Sequence, residues 1–201
     1  MKIDRSQIVD AALTILNEVG IDGLSTRLIA QRLGVQQPAL YWHFKSKKAL
    51  LAAMNAEMLK RNHTRNIPLA GETWQEFLRA NARSFRSALL AWRDGARVHA
   101  GTEVDAPHLD AIEAQLECLH AAGFDPEKAL GLQIAISRYV VGCVLEEQAE
   151  EADSEDRPAI DAAAKSHPNL AKALSVYRAK DHEALFEAGL ELLIGGAETG
   201  K

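Results

Sequence analysis

Several things are scarce or missing in this chain of 201 residues. No run of apolar residues approaches the roughly 18 needed to span a bilayer, so no membrane-spanning segment is expected. The opening Met1-Lys-Ile-Asp-Arg5 lacks the apolar stretch of a secretory leader. Cysteine is nearly absent: Cys118 and Cys143 form no close-spaced metal pair and are read as reduced thiols. A cytoplasmic protein is expected. Strand-like alternation is also missing, and the fold class predicted is all-α.

Residues 25–44 read as a complete helix-turn-helix. Ala30 is small enough to let two helices cross closely, Gly34 supplies the left-handed backbone that ends the first, and Leu40 plugs the core beneath the second. Between turn and plug lie Gln36, Gln37, Pro38 and Ala39, at the end of a recognition helix that meets base edges. A glutamine amide pairs with adenine N6 and N7, and an alanine methyl touches a thymine methyl. Thr26 and Arg27 flank this face, with Arg27 expected to reach a base edge or a phosphate. Tyr41 and His43 can donate to phosphate oxygens, and Lys45, Lys47 and Lys48 add positive charge. Trp42 fits either the DNA backbone or the head's own core.

Charge is divided unevenly. Through Lys48 there are seven Lys/Arg against four Asp/Glu; the remainder has sixteen against twenty-four, and the whole chain is −5. A basic head on an acidic protein suits phosphate contact at one end. Ile8, Val9, Ala12, Leu13, Leu16 and Val19 follow helical spacing, giving a first helix that Gly20 can stop. A further helix runs from Ala49 to about Arg61. The expected division is a head at 1–48, a connecting helix at 49–66 and a body at 67–201.

In the body, Thr73-Trp-Gln-Glu76 is a capping box, and Trp74, Phe77, Leu78, Phe85, Ala88 and Leu89 line the inner face that follows. Asp125-Pro126 opens a helix to about Glu147 that is apolar nearly all round and must be covered on several sides. Glu150–Pro168, acidic and alanine-rich, reads as a mobile loop, and His182–Ala197 as the last helix. Two broad apolar helices in so short a domain predict a homodimer, which also suits a palindromic double-stranded operator read in two half-sites.

Leu33-Gly-Val-Gln-Gln-Pro-Ala-Leu-Tyr-Trp-His43 resembles the TetR family of repressors. In the body the likeness is carried by Trp74–Leu78, Arg93–His99, Gly101-Thr102 and Gly142–Glu146. A match at the head alone would give only the family; the matches around His99 and Glu146 extend the resemblance to the members that answer tetracycline-class inducers. The resemblance implies a drug pocket containing His63, Asn81, Phe85, His99, Thr102, Ile112, Gln115 and Leu116. It implies Mg²⁺ carried in with the drug, His99 as its direct ligand, and Thr102 and Glu146 holding its waters, Glu146 from the second subunit. Such an ion keeps several waters and needs few protein groups. Control of an efflux-pump gene is the family's habit.

The candidates are chemically sensible unaided. Asn81 and Phe85 lie one turn apart on an apolar stripe, Gln115 shares a face with Ile112 and Leu119, and His63 ends the connecting helix. Against tetracycline-responsive members, Glu103 and Val104 stand for Arg-Pro, Arg138 for histidine, Ala39 for threonine and Gln36 for glutamate. The alternative is therefore a repressor answering another planar or polyketide-like compound. An enzyme using His99 and Glu146 to activate a metal-bound water is disfavoured by the basic helix-turn-helix.

Overall fold

Asp4 opens the chain's first helix. Its carboxylate accepts from the Gln7 N–H at 2.9 Å, while the Gln7 side chain accepts from the Asp4 N–H at 3.0 Å. In this computed structural model, which describes residues 3–102, 109–149 and 157–198, α1 spans Arg5–Gly23 and buries Ile8, Val9, Ala12, Leu13, Ile15 and Leu16. Gly20 interrupts it as expected: the helical path breaks there at φ 74°, a value glycine takes without strain, and a separate short helical turn follows to Gly23. Val19, expected on the apolar face, is exposed at the end of the helical piece before the break.

Helix α2 (Thr26–Leu33) begins at Ser25, whose Oγ accepts from the Leu28 N–H. It ends at Gly34 in the left-handed conformation (φ 66°, ψ 31°), whose N–H reaches the Ala30 and Gln31 carbonyls. Helix α3 (Pro38–Tyr41) is a single turn held down by the buried Leu40. Helix α4 (Lys47–Asn62) starts at a Ser46 cap and ends at His63. Its Leu50, Met54 and Met58 complete a core with α1, α2, Leu40 and Phe44.

The capping box at Thr73 and Glu76 opens α5 (Trp74–Leu90), and all six expected inner residues are buried. There follow α6 (Gly95–Ala100), α7 (Leu109–Ala121) and α8 (Pro126–Ala149). Asp125 caps α8 by accepting from the Lys128 N–H at 2.8 Å. Helix α8 packs on α5, α6, α7 and α11 (His182–Glu198) to form the body core. By length and average composition α8 is apolar enough to cross a membrane, a test that core helices of soluble proteins also pass, and no unbroken apolar run spans it. Polar residues such as Gln133, Ser137 and Arg138 interrupt its run without lowering the average enough.

The expected loop at 150–168 needs correction. Residues 150–156 lie outside those described, but α9 (Arg157–Ala164) and α10 (Pro168–Arg178) are helices. Pro158 and Pro168 sit in first turns, where a missing N–H costs nothing, so these prolines start helices. Among the described residues every regular element is α-helical, as the all-α reading predicts.

Short α6 is wedged in place by a glycine. A Cβ on Gly95 would lie 2.1 Å from the Leu89 carbonyl oxygen, backbone that cannot swing aside. Gly95→Ala should therefore cost about 1–3 kcal/mol, the scale of overpacking. That should lower the thermal midpoint by roughly 2–10 °C, and an unchanged midpoint in calorimetry would refute this tight contact.

Candidate functional sites: a DNA-reading head and an inner cavity

The turn at Gly34 and the single turn of α3 leave Gln36 and Pro38 exposed, with Gln37 half-buried beside them. Gln37 Nε2 donates to Thr26 Oγ1 at 2.8 Å, so one side chain of the reading face braces the other. The amide keeps a second N–H and a carbonyl oxygen, the pair an adenine edge requires. Arg27 is exposed and Tyr41 is 46 % exposed. Trp42 is 81 % exposed, which removes it from the head's core. Lys45 Nζ lies 6.0 Å from the Trp42 ring centroid. His43 is half-buried, and Lys47 Nζ donates to the Leu24 carbonyl at 3.1 Å. Ala39 packs partly against the head core, since it precedes the plug Leu40 on a helix only four residues long.

The body encloses a cavity of about 620 Å³ bounded by the end of α4 and by α5, α7 and α8. His63, Asn81, Phe85, Thr102, Ile112 and Gln115 line it together, with Leu130, Gln133, Ile134, Ser137 and Arg138 as the α8 wall. Its size lies within the roughly 300–1,000 Å³ range of small-molecule sites. The exposure of Leu130 and Ile134 is thus exposure to this cavity. Leu116 differs from expectation: it packs against the body core, about 100° round α7 from Gln115, and is not among the lining residues.

The polar lining holds the segment after α4. Asn81 Nδ2 donates to the Arg65 carbonyl at 2.9 Å, and Gln115 Nε2 to the Asn66 carbonyl at 2.8 Å. Ser84 Oγ accepts from the Thr64 and Arg65 N–H groups and lies 3.0 Å from His63 Nδ1. His63 and Phe85 rings meet at 5.7 Å.

His99 projects from α6 and stands edge-on to Phe85, centroids 4.9 Å apart. Burial pushes its imidazole pKa down, favouring the neutral form that can ligate a metal. Nδ1 lies 3.1 Å from Asn55 Oδ1, so the ring is oriented by a second group. Thr102 Oγ1 donates to the His99 carbonyl at 2.8 Å. Among the described residues no three His, Cys, Asp or Glu side chains gather into a metal site. A cation held at His99 would take most of its ligands from elsewhere. Glu146 is exposed and lies outside this cavity in its own chain, beside a second groove with Glu147 and Tyr177. Glu103 and Val104 lie outside the described residues.

The same α6 region is latched to the head. The Ile21 N–H donates to Asp94 Oδ2 at 2.8 Å, the Arg93 N–H donates to Asn17 Oδ1 at 3.0 Å, and Arg97 pairs with both oxygens of Asp22. Asp94 itself is in the left-handed region at φ 57°. Sequence reading missed this latch because its partners are far apart in the chain. It also missed Asn55, Ser84, Gln133 and Ser137. A polar residue among the apolar positions of α4 and α8 was the available signal for Asn55 and Gln133.

A helix-turn-helix head joined to a helical body with an interior cavity defines a ligand-responsive DNA-binding regulator. Residues 8–54 match the family model for bacterial regulatory proteins, tetR family, and residues 67–200 match that for the tetracyclin repressor-like C-terminal domain. The chain belongs to the TetR family. It is 49 % identical to the class C tetracycline repressor protein of Escherichia coli, over 98 % of this chain and 91 % of that one. Two solved structures are also similar. One is TetR(class A) in complex with 5a,6-anhydrotetracycline and magnesium, with TM-score 0.76, 41 % identity, and 98 % of this chain and 99 % of that one covered. The other is the Streptomyces coelicolor TetR family protein ActR in complex with actinorhodin, with TM-score 0.86, 27 % identity, and 100 % and 99 % covered.

The direction of the His99 shift has a stability consequence. Its folded pKa lies below the unfolded value of about 6.5. The unfolded chain therefore takes up a proton first as pH falls, and stability is lost from about pH 6.5 down to the folded pKa. His99→Gln should remove this part of the acid slope, seen as a flatter plot of unfolding midpoint against pH. An unchanged slope would show that His99 gains its proton equally in both states.

Proposed function

We propose that this chain is a homodimeric transcriptional repressor that holds a palindromic operator and releases it on binding a tetracycline-class inducer with Mg²⁺. The head (1–48) reads DNA, the connecting helix (49–66) links it to the cavity, and the body (67–201) binds inducer and dimerises. The observation that carries this is the convergence of His63, Asn81, Phe85, Thr102, Ile112 and Gln115 on one cavity. Likeness to a tetracycline repressor over nearly the full chain supports the choice of inducer. The protein acts by binding, without catalysis, in the cytoplasm, and an efflux-pump gene is the natural target. Dimerisation is supported by α8 and α11, where Leu192 is 78 % exposed and Gly142, Gly195 and Gly196 have open space beside them.

His99 would bind the inducer-borne ion through its neutral ring, with Thr102 and the partner chain's copy of Glu146 acting through water. Inducer entering the cavity competes for Asn81 and Gln115, which now hold the Arg65 and Asn66 carbonyls. Movement of α6 reaches the head through the Asp94 and Arg97 contacts. Release follows only if inducer prefers the state that cannot bind DNA.

A second reading, another planar or polyketide-like inducer, is favoured by one observation: the α8 wall carries Gln133 and Arg138. Comparing tetracyclines with such compounds by thermal shift, with and without Mg²⁺, separates the two, since ligand bound to the folded state raises its midpoint.

Gln37→Ala should weaken binding to the preferred operator by about 1–3 kcal/mol, the worth of a bidentate base contact. Unchanged affinity would move the reading face elsewhere. Light scattering at low micromolar concentration should return twice the chain mass, and a monomer there would contradict the two-half-site arrangement. Operator release should require tetracycline and Mg²⁺ together, and His99→Ala should bind operator normally but resist release. Equal release with and without Mg²⁺ in both proteins would remove the metal from the mechanism.

A further inference from the structure

Among the described residues, Asn55 of α4 is the only polar or charged residue that is buried. It sits among Met54, Met58 and Leu50, which belong to the head core. A primary amide in such surroundings is costly unless it is hydrogen-bonded. Its Oδ1 lies 3.1 Å from His99 Nδ1, a contact between helices forty-four positions apart in the chain. The amide presents its oxygen to the ring, and a carbonyl oxygen can only accept. Nδ1 must therefore carry the hydrogen. A neutral imidazole has one such hydrogen, so the lone pair is left on Nε2. The Phe85 ring, edge-on to His99 at 4.9 Å, restricts the ring from another side.

We propose that Asn55 is a positioning residue: it holds His99 in the Nδ1-protonated tautomer and reserves Nε2 for an inducer-borne divalent cation. This rests on the metal-dependent inducer reading given above. The bond also gives the cation site a direct link to α4. That helix starts beside the head at Lys47 and ends at the cavity with His63. A displacement of His99 is thus felt at the middle of α4 as well as through the α6 latch. Second-shell partners of a metal-ligating histidine commonly change metal affinity by about 10–100-fold.

Two measurements test this on the full-length protein. The first is nitrogen-15 NMR of histidine-labelled protein without inducer, with the His99 signals assigned by their loss in His99→Gln. Expected are a protonated Nδ1 and a bare Nε2 in the parent, a mixture of tautomers in Asn55→Ala, and the parental tautomer in Asn55→Asp, which keeps an acceptor oxygen. A bare Nδ1 in the parent, or an unchanged tautomer in Asn55→Ala, overturns the proposal. Because the parent itself is decisive, an unstable variant does not rescue it. The second is a fluorescence titration with tetracycline and Mg²⁺. Asn55→Ala should bind about 10–100-fold more weakly, and Asn55→Asp should recover most of the loss. Full affinity in Asn55→Ala, where His99→Ala has lost it, also overturns the proposal. Full Mg²⁺-dependent affinity in His99→Ala instead defeats the underlying metal reading, while the NMR result still decides the role of Asn55.

Discussion

The six residues of α6 belong to two hydrophobic cores at once, and the rest of the molecule is arranged around that fact. Ala96 is fully buried in the body core, while Val98, two positions on, is fully buried in the head core. Adjacent faces of one short helix thus point into different units. Gly95 lets its start press against the Leu89 carbonyl, and Gln148 of α8 holds the preceding turn by donating to the Trp92 carbonyl at 2.8 Å. Any shift of α6 must repack one core against the other. Packed interiors respond to that as switches between discrete arrangements, since they are too dense to deform gradually.

The polar contacts around α6 are graded by what surrounds them. The Arg97–Asp22 pair is exposed and contributes little to stability by itself, as do the Arg79–Glu191 and Arg83–Glu187 pairs joining α5 to α11. The Ile21 N–H to Asp94 contact is different, because it satisfies backbone freed where α1 breaks at Gly20. Gly20 leaves no room there: a Cβ would lie 2.8 Å from Asp94 Oδ2. The head's attachment therefore combines Val98 in the head core with this one part-buried carboxylate contact at the Gly20 break, with the Arg93–Asn17 hydrogen bond beside it. The cavity is built the other way. Its amides are anchored to the carbonyls of residues 65 and 66, so the lining's own polar groups tie it to the segment after α4.

Local signals were read well wherever a single helix end or stripe decided the outcome. Gly34 ends α2 in the left-handed region, Thr73 and Glu76 cap α5, Asp125 caps α8, and the inner face of α5 is buried as its spacing demands. Errors arose where the same residue type serves two ends of a helix. Prolines at 158 and 168 looked like loop punctuation and instead begin α9 and α10. Leu116 shared the composition of a pocket residue but points to the core. Trp42 could not be assigned from its neighbours, since an indole serves equally as core filler and as a surface platform.

By itself, then, the sequence determined the helix-turn-helix and the main body helices: turn glycine, core plug and capping residues act within short stretches, where backbone geometry is local. It also named most of the polar side chains that line the body's cavity, among them His63, Asn81, Thr102 and Gln115. Their assembly is a tertiary matter. His63, Asn81, Thr102, Gln115 and Gln133 come from separate segments, and only packing of α5, α7 and α8 brings them round one cavity. Likewise the partners of His99 and Asp94 are distant in sequence, at Asn55 and Ile21. A hydrogen bond has a range of one contact, so which amide meets which ring is settled by how helices cross, and no spacing along the chain encodes it.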